Sequence, residues 1–401
     1  MKIGIVSPFM PHDLADLLDA NSQKLLREIR GVLATPVTPI ARVWHQRGHN
    51  ISIFCLDPSV EKEQILRGEQ LVIHVLPKRR ARYYLFDCYR AERRLLRDAI
   101  RREEPDVLSA QWSYEHALAA LQSRIPTAVT CHDSPLHCAW VAKDFYTTYH
   151  TFIAWRVIRS AKRLVCVSPY IVEHIKKHFA PQGQVDMVPN GIPAKLFERR
   201  ERRLATTPDQ AEQPFVICSA GGWGPLKNIP TLLKAFNRVF RANPEARLKL
   251  FGRELGADQA AERWAKHNRL QEGVSFGGGV SREAFLDFLE TKTDLMVHPS
   301  LVESFGMTLV EAMACGVPVV GGEKSGAVAW TLEDGNCGYL CDVRNEVALA
   351  DTMTRAMHAP DQNRALVSHA WSSAKNRFNI ERVAAANEEI LKQLAGSSYK
   401  Q

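Results

Sequence analysis

The sequence predicts an α/β protein built from two doubly wound parallel-sheet domains in tandem. Three observations carry that expectation. The chain has 401 residues, too many for one ordinary core and enough for about two. Short β-rich runs alternate with longer helix-like segments almost throughout, as in βα units around parallel sheets. A charged, polar stretch, "ERRERRLATTPDQAEQP" (Glu198 to Pro214), interrupts the alternation once, and afterwards it restarts. The expected layout is an N-terminal domain over residues 1–200, a linker over 201–214, a C-terminal domain over 215–375, and a last helix over 376–401 that returns to the first domain.

In the first half the expected strands are Lys2–Val6, Ile51–Cys55, Leu71–Leu76, Asp106–Ala110, Thr127–Cys131, Leu164–Ser168 and Val185–Val188. Several are apolar on both alternations, which suits strands covered on both faces. The segment "TPIARVWHQRGHNISIF" reads as one complete unit: Thr38 as N-cap, Pro39 in the first helical position, Gly48 as the stop, then a strand. Before it, "SPFMPHDLADLLDANSQKLLREIRGVLATP" predicts an extra amphipathic helix from Leu14 to Ile29. In the second half the strands are "FVICSA", "RLKLF", "GVSF", "DLMV", "VPVV" and "GYLC". Two such domains are expected to enclose a cleft, with ligands outside the carboxyl ends of the strands.

Composition narrows the classes. With 45% hydrophobic and 24% charged residues the chain is of soluble globular type. "MKIGIV" reads as a first strand rather than a secretory signal, and no apolar run approaches the ~20 residues that span a bilayer. Nine cysteines without framework spacing suit reduced thiols, so the expected location is cytoplasmic. The net charge of +8 is concentrated: from Lys78 to Arg102 there are ten Lys/Arg against three Asp/Glu, a surplus of seven. Arg79, Arg80, Arg82, Arg90, Arg93, Arg94 and Arg97 lie there beside Tyr83, Tyr84, Leu85 and Phe86, and Leu85, Tyr89, Leu96 and Ile100 form an apolar stripe. A crossover helix with solvated arginines explains the stripe. The charge leaves open an anionic membrane surface, at the inner face of the membrane, or a phosphorylated acceptor. Nucleic acid is not expected, because no recognition motif accompanies the charge.

The chemistry concentrates in "HPSLVESFGMTLVEAMACGVPVV", His298 to Val320. Glu303 sits on a loop beyond a strand, Gly306 permits close backbone approach, and "TLVEAMAC" reads as a short helix stopped by Gly316. The start of that helix presents unpaired N–H groups, a seat for phosphate. Glu311 lies more than a turn inside, where a carboxylate can accept two hydrogen bonds from a vicinal diol such as ribose. Glu303 would reach hydroxyls beyond the phosphates.

This run resembles the donor-site motif of retaining glycosyltransferases of family 4, which have the GT-B fold: two Rossmann-like domains facing a central cleft. Upstream, "SAGGWGPLKNIPTLLKAF" is similar to the family's Gly-rich strand-loop-helix, and downstream "SGAVAWTLEDGNCGYL" looks like its Gly-containing segment. The resemblance implies transfer of a sugar from a nucleotide-diphosphate sugar, UDP-, GDP- or ADP-linked, to a glycan or lipid-linked acceptor, with retention and without a metal or other cofactor. It places Lys227 on the diphosphate, with Gly221 and Gly222 close to it and Ser304, Phe305, Gly306, Met307 and Thr308 at the phosphate-facing helix start. The family's usual Arg before the Lys falls at Gly222; Arg253, at the end of the next strand, is the candidate substitute. The family often has His-Gly or His-Asp where "TCHDSPLHC" carries His132 and Asp133, near the reacting sugar. Many relatives have a His where Gln111 stands. "TCHDSPLHC" matches no structural-zinc spacing, and no metal site is expected there. Because the Arg and His are missing, a silent nucleotide-sugar binder or membrane scaffold remains the alternative to an enzyme.

Overall fold

The computed structural model describes residues 1–32, 34–84, 86–206 and 214–398. The chain divides into two compact units, each with its own parallel sheet. One comprises Met1–Ala139, Lys143–Gly191 and the chain from Ile380; the other comprises Trp140–Ala142 and Ile192–Asn379.

The first unit carries eight strands: β1 (Lys2–Val6), β2 (Asn50–Asp57), β3 (Gln64–Gly68), β4 (Leu71–Pro77), β5 (Val107–Gln111), β6 (Thr127–Cys131), β7 (Arg163–Cys166) and β8 (Gln184–Met187). Their spatial order is β3-β4-β2-β1-β5-β6-β7-β8. All neighbours pair in parallel except β3, which runs antiparallel to β4 at the edge. That edge strand has no counterpart among the expected ones. The order reverses between β1 and β5, so the carboxyl end of β5 lies at a topological switch point. Strands β1, β2 and β4 are apolar on both faces, and Ile3, Ile5, Ile51, Ile53, Ile73 and Val75 are buried.

Five helices matter below: α1 (Val37–Gln46), α2 (Arg90–Glu103), α3 (Pro135–Ala142), α4 (Phe145–Ser160) and α5 (Pro169–Phe179), all of this unit except the last three residues of α3. The N-cap of helix α1 is Pro36, two residues before the expected Thr38, and Gly48 follows the helix at φ +78. The expected helix from Leu14 to Ile29 is broken instead. A 3-10 helix covers Pro11–Leu17, Leu18 is extended, and Asp19 caps a separate helix at Ala20–Leu25 by accepting from the Ser22 amide at 2.7 Å. Leu18 pairs with Gly68, and that bridge stops the helix.

The second unit carries β9 (Val216–Gly222), β10 (Arg247–Arg253), β11 (Val274–Gly278), β12 (Leu295–His298), β13 (Val319–Gly322) and β14 (Tyr339–Cys341), in the order β11-β10-β9-β12-β13-β14 and all parallel. The switch point falls between β9 and β12. Its helices include α6 (Glu198–Thr206), α7 (Ile229–Ala242), α8 (Arg282–Lys292) and α9 (Met307–Cys315). Helix α6 occupies the start of the segment expected as linker. Its arginines have acidic partners on α8: Arg199 binds Asp287 at 2.8 Å, Glu290 at 2.6 Å and also Glu283, and Arg202 meets Glu290 at 2.7 Å. Residues 207–213 of that segment lie outside the described residues.

The last helix, α10 (Ile380–Ser398), packs in the first unit against α1. The Trp44 indole donates to the Ala384 carbonyl at 3.1 Å, and Arg47 pairs with Glu381 and Glu388 at 2.9 and 3.0 Å. All nine cysteines are free thiols, seven of them buried. Among the described residues no helix is long and apolar enough to cross a membrane.

Candidate active site

The two strands that flank the switch point of the second sheet deliver the central pair. β9 runs into a turn at Pro225–Lys227, and β12 ends at His298 before the loop that carries Glu303. Lys227 Nζ donates to Glu303 Oε2 at 2.9 Å. His298 Nε2 approaches the same oxygen at 2.9 Å, while its Nδ1 lies 3.2 Å from Thr308 Oγ1. Burial pushes the Glu303 carboxyl up, but the Lys227 charge and the His298 contact outweigh it and hold the group well below the usual carboxylate range. Glu303 is therefore an anion with two cationic or polar supports.

Helix α9 starts beside this pair. Its N-cap is Gly306 at φ +89, a conformation that favours glycine, and no side chain caps it. The Glu303 carbonyl accepts from the Ala327 amide at 2.8 Å and so fixes the loop. Phe305 is buried, where it packs edge-on against Phe378 at 5.1 Å between ring centroids. The first amides of α9, from Met307 and Thr308, thus form an uncapped helix start next to an ionised carboxylate.

Glu311 is a second, separate carboxyl group. It is buried, and the Arg282 guanidinium at the start of α8 contacts it twice: Nε donates at 2.9 Å and Nη2 lies 2.7 Å away, both on Oε1. Burial raises the Glu311 pKa against the opposing pull of Arg282.

The glycines separate into two kinds. A Cβ at Gly221 or Gly222 would meet nothing closer than 3.5 Å, so neither is sterically required by the protein itself. Gly252, in the "LFGRE" strand end, is required: it sits at φ +132 and a Cβ there would fall 1.5 Å from the Gly221 carbonyl oxygen. Arg253 follows it, exposed, and is the ladder partner of Gly222. A cation thus stands directly beside the position where the family's Arg is missing.

His132 and Asp133 belong to the first unit, at the carboxyl end of β6. His132 is buried, its Nε2 donates to Gln111 Oε1 at 2.8 Å, and Gln111 in turn donates to Ser109 Oγ at 2.8 Å. Its ring lies 4.4 Å from that of Trp112, itself held at φ +62. Burial pushes the His132 pKa down to about 3, so the imidazole is neutral. It lines a cavity of about 20 Å³ with Thr130, Asn190 and Gly191. Asp133 accepts from the Tyr114 hydroxyl at 3.1 Å. His116 is buried beside Glu115, with its pKa lowered to about 4 by burial.

The basic stretch is less open than its charge count suggests. Arg79 is not available to a surface: it binds Asp87 at 2.9 Å and the buried Glu92 at 2.7 Å. Arg97 pairs with Asp98 at 2.7 Å, Arg102 with Glu63 at 2.6 Å, and Arg93 donates to the Cys88 carbonyl at 2.8 Å. Arg80, Arg90 and Arg94 are exposed. Tyr89, Leu96 and Ile100 of the apolar stripe are buried; Leu85 and the Arg82 side chain lie outside the described residues.

Sequence reasoning brought together Lys227, Glu303, Gly306 and Thr308, which the structure also places together. It missed His298, Arg282 and Gly252. His298 was visible as a histidine at a strand's carboxyl end, five residues before Glu303.

Residues 34–196 match the family model described as Glycosyltransferase Family 4, and residues 203–371 match the model described as Glycosyl transferases group 1. The chain belongs to the family 4-like glycosyltransferases. Over 300 residues it is 23% identical to the N-acetyl-alpha-D-glucosaminyl L-malate synthase of Bacillus anthracis, spanning 73% of this chain and 76% of that one. It is 26% identical over 292 residues to a glycogen synthase of Mycobacterium tuberculosis, spanning 71% and 68%. A lipopolysaccharide 1,2-N-acetylglucosaminetransferase of Salmonella typhimurium matches at 28% over 221 residues, spanning 53% and 57%. Among solved structures, sucrose-phosphate synthase from Thermosynechococcus elongatus superposes with a TM-score of 0.78 at 17% identity, over 99% of this chain and 100% of that one. HepE of Anabaena, in complex with UDP and glucose, superposes with a TM-score of 0.67 at 18% identity, over 98% and 99%. These likenesses identify the fold as GT-B. This family 4-like enzyme therefore carries Lys227, Glu303 and α9 in the half matched by the group 1 model.

Proposed function

We propose that this glycosyltransferase takes its sugar from a nucleotide-diphosphate donor and passes it, with retention and without a metal, to a glycan or lipid-linked acceptor. The observation that carries the proposal is the Glu303–Lys227–His298 constellation beside the uncapped start of α9, built at the switch point of one sheet. In this reading the diphosphate rests on the first amides of α9 and draws Lys227 away from Glu303. Arg253 supplies a second positive charge from beside Gly222. Glu303, kept anionic, accepts hydroxyls of the transferred sugar, and Glu311 accepts from the ribose diol through the oxygen that Arg282 leaves free. The C1–O bond to the diphosphate breaks with its electron pair on the leaving group, and the acceptor oxygen bonds C1 from the same face while its proton passes to the departing phosphate. The protein's contribution is preorganised charge and alignment. The HepE complex with UDP and the UDP-2-fluoro glucose complex of the E. coli trehalose-6-phosphate protein are consistent with a UDP-linked donor.

A lipid-linked acceptor at an anionic membrane surface is favoured by α4. Its outward face carries Phe145, Phe152 and Trp155, each at least 46% exposed, with the Arg159 guanidinium 5.5 Å from the Trp155 ring. Amphipathic aromatics flanked by arginines suit a headgroup boundary. The exposed Arg80, Arg90 and Arg94 add to the charge of this unit. We infer a cytoplasmic enzyme that works at the inner face of the membrane.

Incubation with UDP-, GDP- and ADP-sugars tests the donor assignment. Release of free nucleotide, needing no added Mg²⁺ or Mn²⁺ and slowed by orders of magnitude in Lys227→Ala and Glu303→Ala, is the expected result. Tight nucleotide binding without turnover, even with lipid extract as acceptor, would overturn it.

A further inference from the structure

Outside the donor half, three histidines of the first unit converge from two helices. His137 stands near the start of α3, and His174 and His178 lie four residues apart on α5, a spacing that shares one helical face. One ring nitrogen from each lies within 4.8 Å of the other two. We propose that His137, His174 and His178 bind a divalent transition-metal ion of the zinc class, with solvent as fourth ligand, and that the ion ties α3 to α5.

His174 is the strongest indication. It is only 2% exposed, and neither ring nitrogen has a hydrogen-bond partner. An imidazole buried in that way leaves polar atoms unmet, which is unfavourable unless a ligand takes up the lone pair. Burial, reinforced by His137 and His178, holds the His174 pKa down to about 3; burial also lowers that of His137. Both rings are therefore neutral at physiological pH, the form that ligates a metal.

The surroundings supply the usual outer support. His137 Nδ1 lies 2.6 Å from the Tyr170 hydroxyl, which donates to Ser134 Oγ at 3.1 Å. Because Tyr170 spends its proton on Ser134, it accepts from His137, and this puts the His137 proton on Nδ1 and the lone pair on Nε2. His178 is exposed and gives an entry path. Zinc–nitrogen bonds of about 2.0–2.1 Å set tetrahedral ligand atoms about 3.4 Å apart, so ring rotations that move each nitrogen by about 1 Å close the site. Histidine-only ligation selects zinc, copper or nickel over magnesium or calcium. The consequence is local: Ser134, the N-cap of α3, follows Asp133, so the ion would stiffen the loop that presents Asp133.

Glu333, Cys337 and His369 in the second unit also bring their ligand atoms within 4.8 Å of one another, but they are already served. Glu333 accepts from Ser373 at 2.5 Å and from Arg377 at 3.1 Å, and lies 2.9 Å from His369.

The test uses the full chain freed of metal by chelation, titrated with Co²⁺ followed by visible absorption and with Zn²⁺ by calorimetry. One ion per chain, an intense tetrahedral Co²⁺ band displaced by Zn²⁺, and a rise in melting temperature of about 4 °C or more at 100-fold excess over Kd are expected. His178→Ala, at an exposed position, and His137→Ala should each weaken Zn²⁺ at least tenfold. Tyr170→Phe should weaken it about tenfold as an outer-shell change. Absence of a Co²⁺ band, unchanged affinity in His178→Ala and His137→Ala, or loss of binding only in His369→Ala would each overturn the assignment. None of these outcomes bears on the donor site.

Discussion

Glu303 Oε2 receives Lys227 Nζ and His298 Nε2 at the same distance, 2.9 Å, from opposite strands of one switch point. The carboxylate is thereby pre-charged and pre-aimed before any substrate arrives. Lys227→Ala should lower kcat by about two to three orders of magnitude, the usual effect of removing one preorganised charge. Glu303→Gln should do the same while the fold survives, checked by circular dichroism alongside steady-state kinetics. His298→Ala should leave Glu303 less acidic. The folded-state pKa of Glu303 lies below its unfolded value, so its contribution to stability is present above about pH 4.5 and fades as pH falls below that. Loss of His298 should shrink that contribution and raise only the low-pH end of the fade.

Arg282 and Glu311 form a pair with a buried acid and a partly exposed base. Arg282→Met strands the Glu311 carboxyl in an apolar setting and should destabilise by about 3–5 kcal/mol. Adding Glu311→Leu should restore most of the stability but not the affinity for nucleotide. Chemical unfolding of both variants, with nucleotide binding by calorimetry, separates the two effects. If the double variant binds nucleotide as well as the parent, Glu311 does not hold the ribose.

Gly252→Ala and Gly221→Ala each add one methyl group, at two positions that face each other in the ladder. The first drives a Cβ into the Gly221 carbonyl and imposes a disfavoured φ, so a loss of at least about 2 kcal/mol or failure to accumulate as soluble protein is expected. The second has room for its methyl group, so any loss of nucleotide affinity there reports approach of the diphosphate rather than misfolding. Thermal melts and soluble yield check the pair.

The arginines of the basic stretch should also separate. Arg94→Glu, and Phe152→Ser with Trp155→Ser on α4, should weaken co-sedimentation with vesicles containing anionic lipid, leave the melting temperature nearly unchanged, and reduce the salt dependence in the arginine case. Arg79→Ala should instead unfold the region by about 3–5 kcal/mol, since it abandons the buried Glu92. Vesicle binding indifferent to Arg94, Phe152 and Trp155 would remove the membrane from the proposed function.

Most of the fold was legible because its signals are local. Lys2–Val6 and Thr127–Cys131 could be read to the residue as β1 and β6, and the other expected strands lay within two residues at either end, since apolar runs bounded by turns specify parallel strands. What stayed hidden depends on partners distant in sequence. The "ERRERR" segment looks like a solvated linker until Glu283, Asp287 and Glu290 of α8 are seen beside Arg199 and Arg202. β3 carries no strong alternation, and its identity comes from pairing with β4. In the site, Glu303, Lys227 and Gly306 were found through spacing and chain order, whereas Arg282 was invisible because nothing in its own segment announces Glu311, 29 residues onward. The aromatic face of α4 was passed over because Phe, Tyr and Trp at helical spacing ordinarily mark a core.

The path of the chain has one more implication. The polypeptide leaves the first unit after Gly191 and re-enters it at Ile380, so the donor half is topologically an insertion within the other. Its two junctions are stitched together, with the Ile192 amide donating to the Phe378 carbonyl at 2.8 Å and Ile192 bridged to Asn379. Residues 192–379 should accordingly fold when excised, whereas trimming the tail at Asn379 should deprive Trp44 and Arg47 of their partners and collapse the half that never lost a strand.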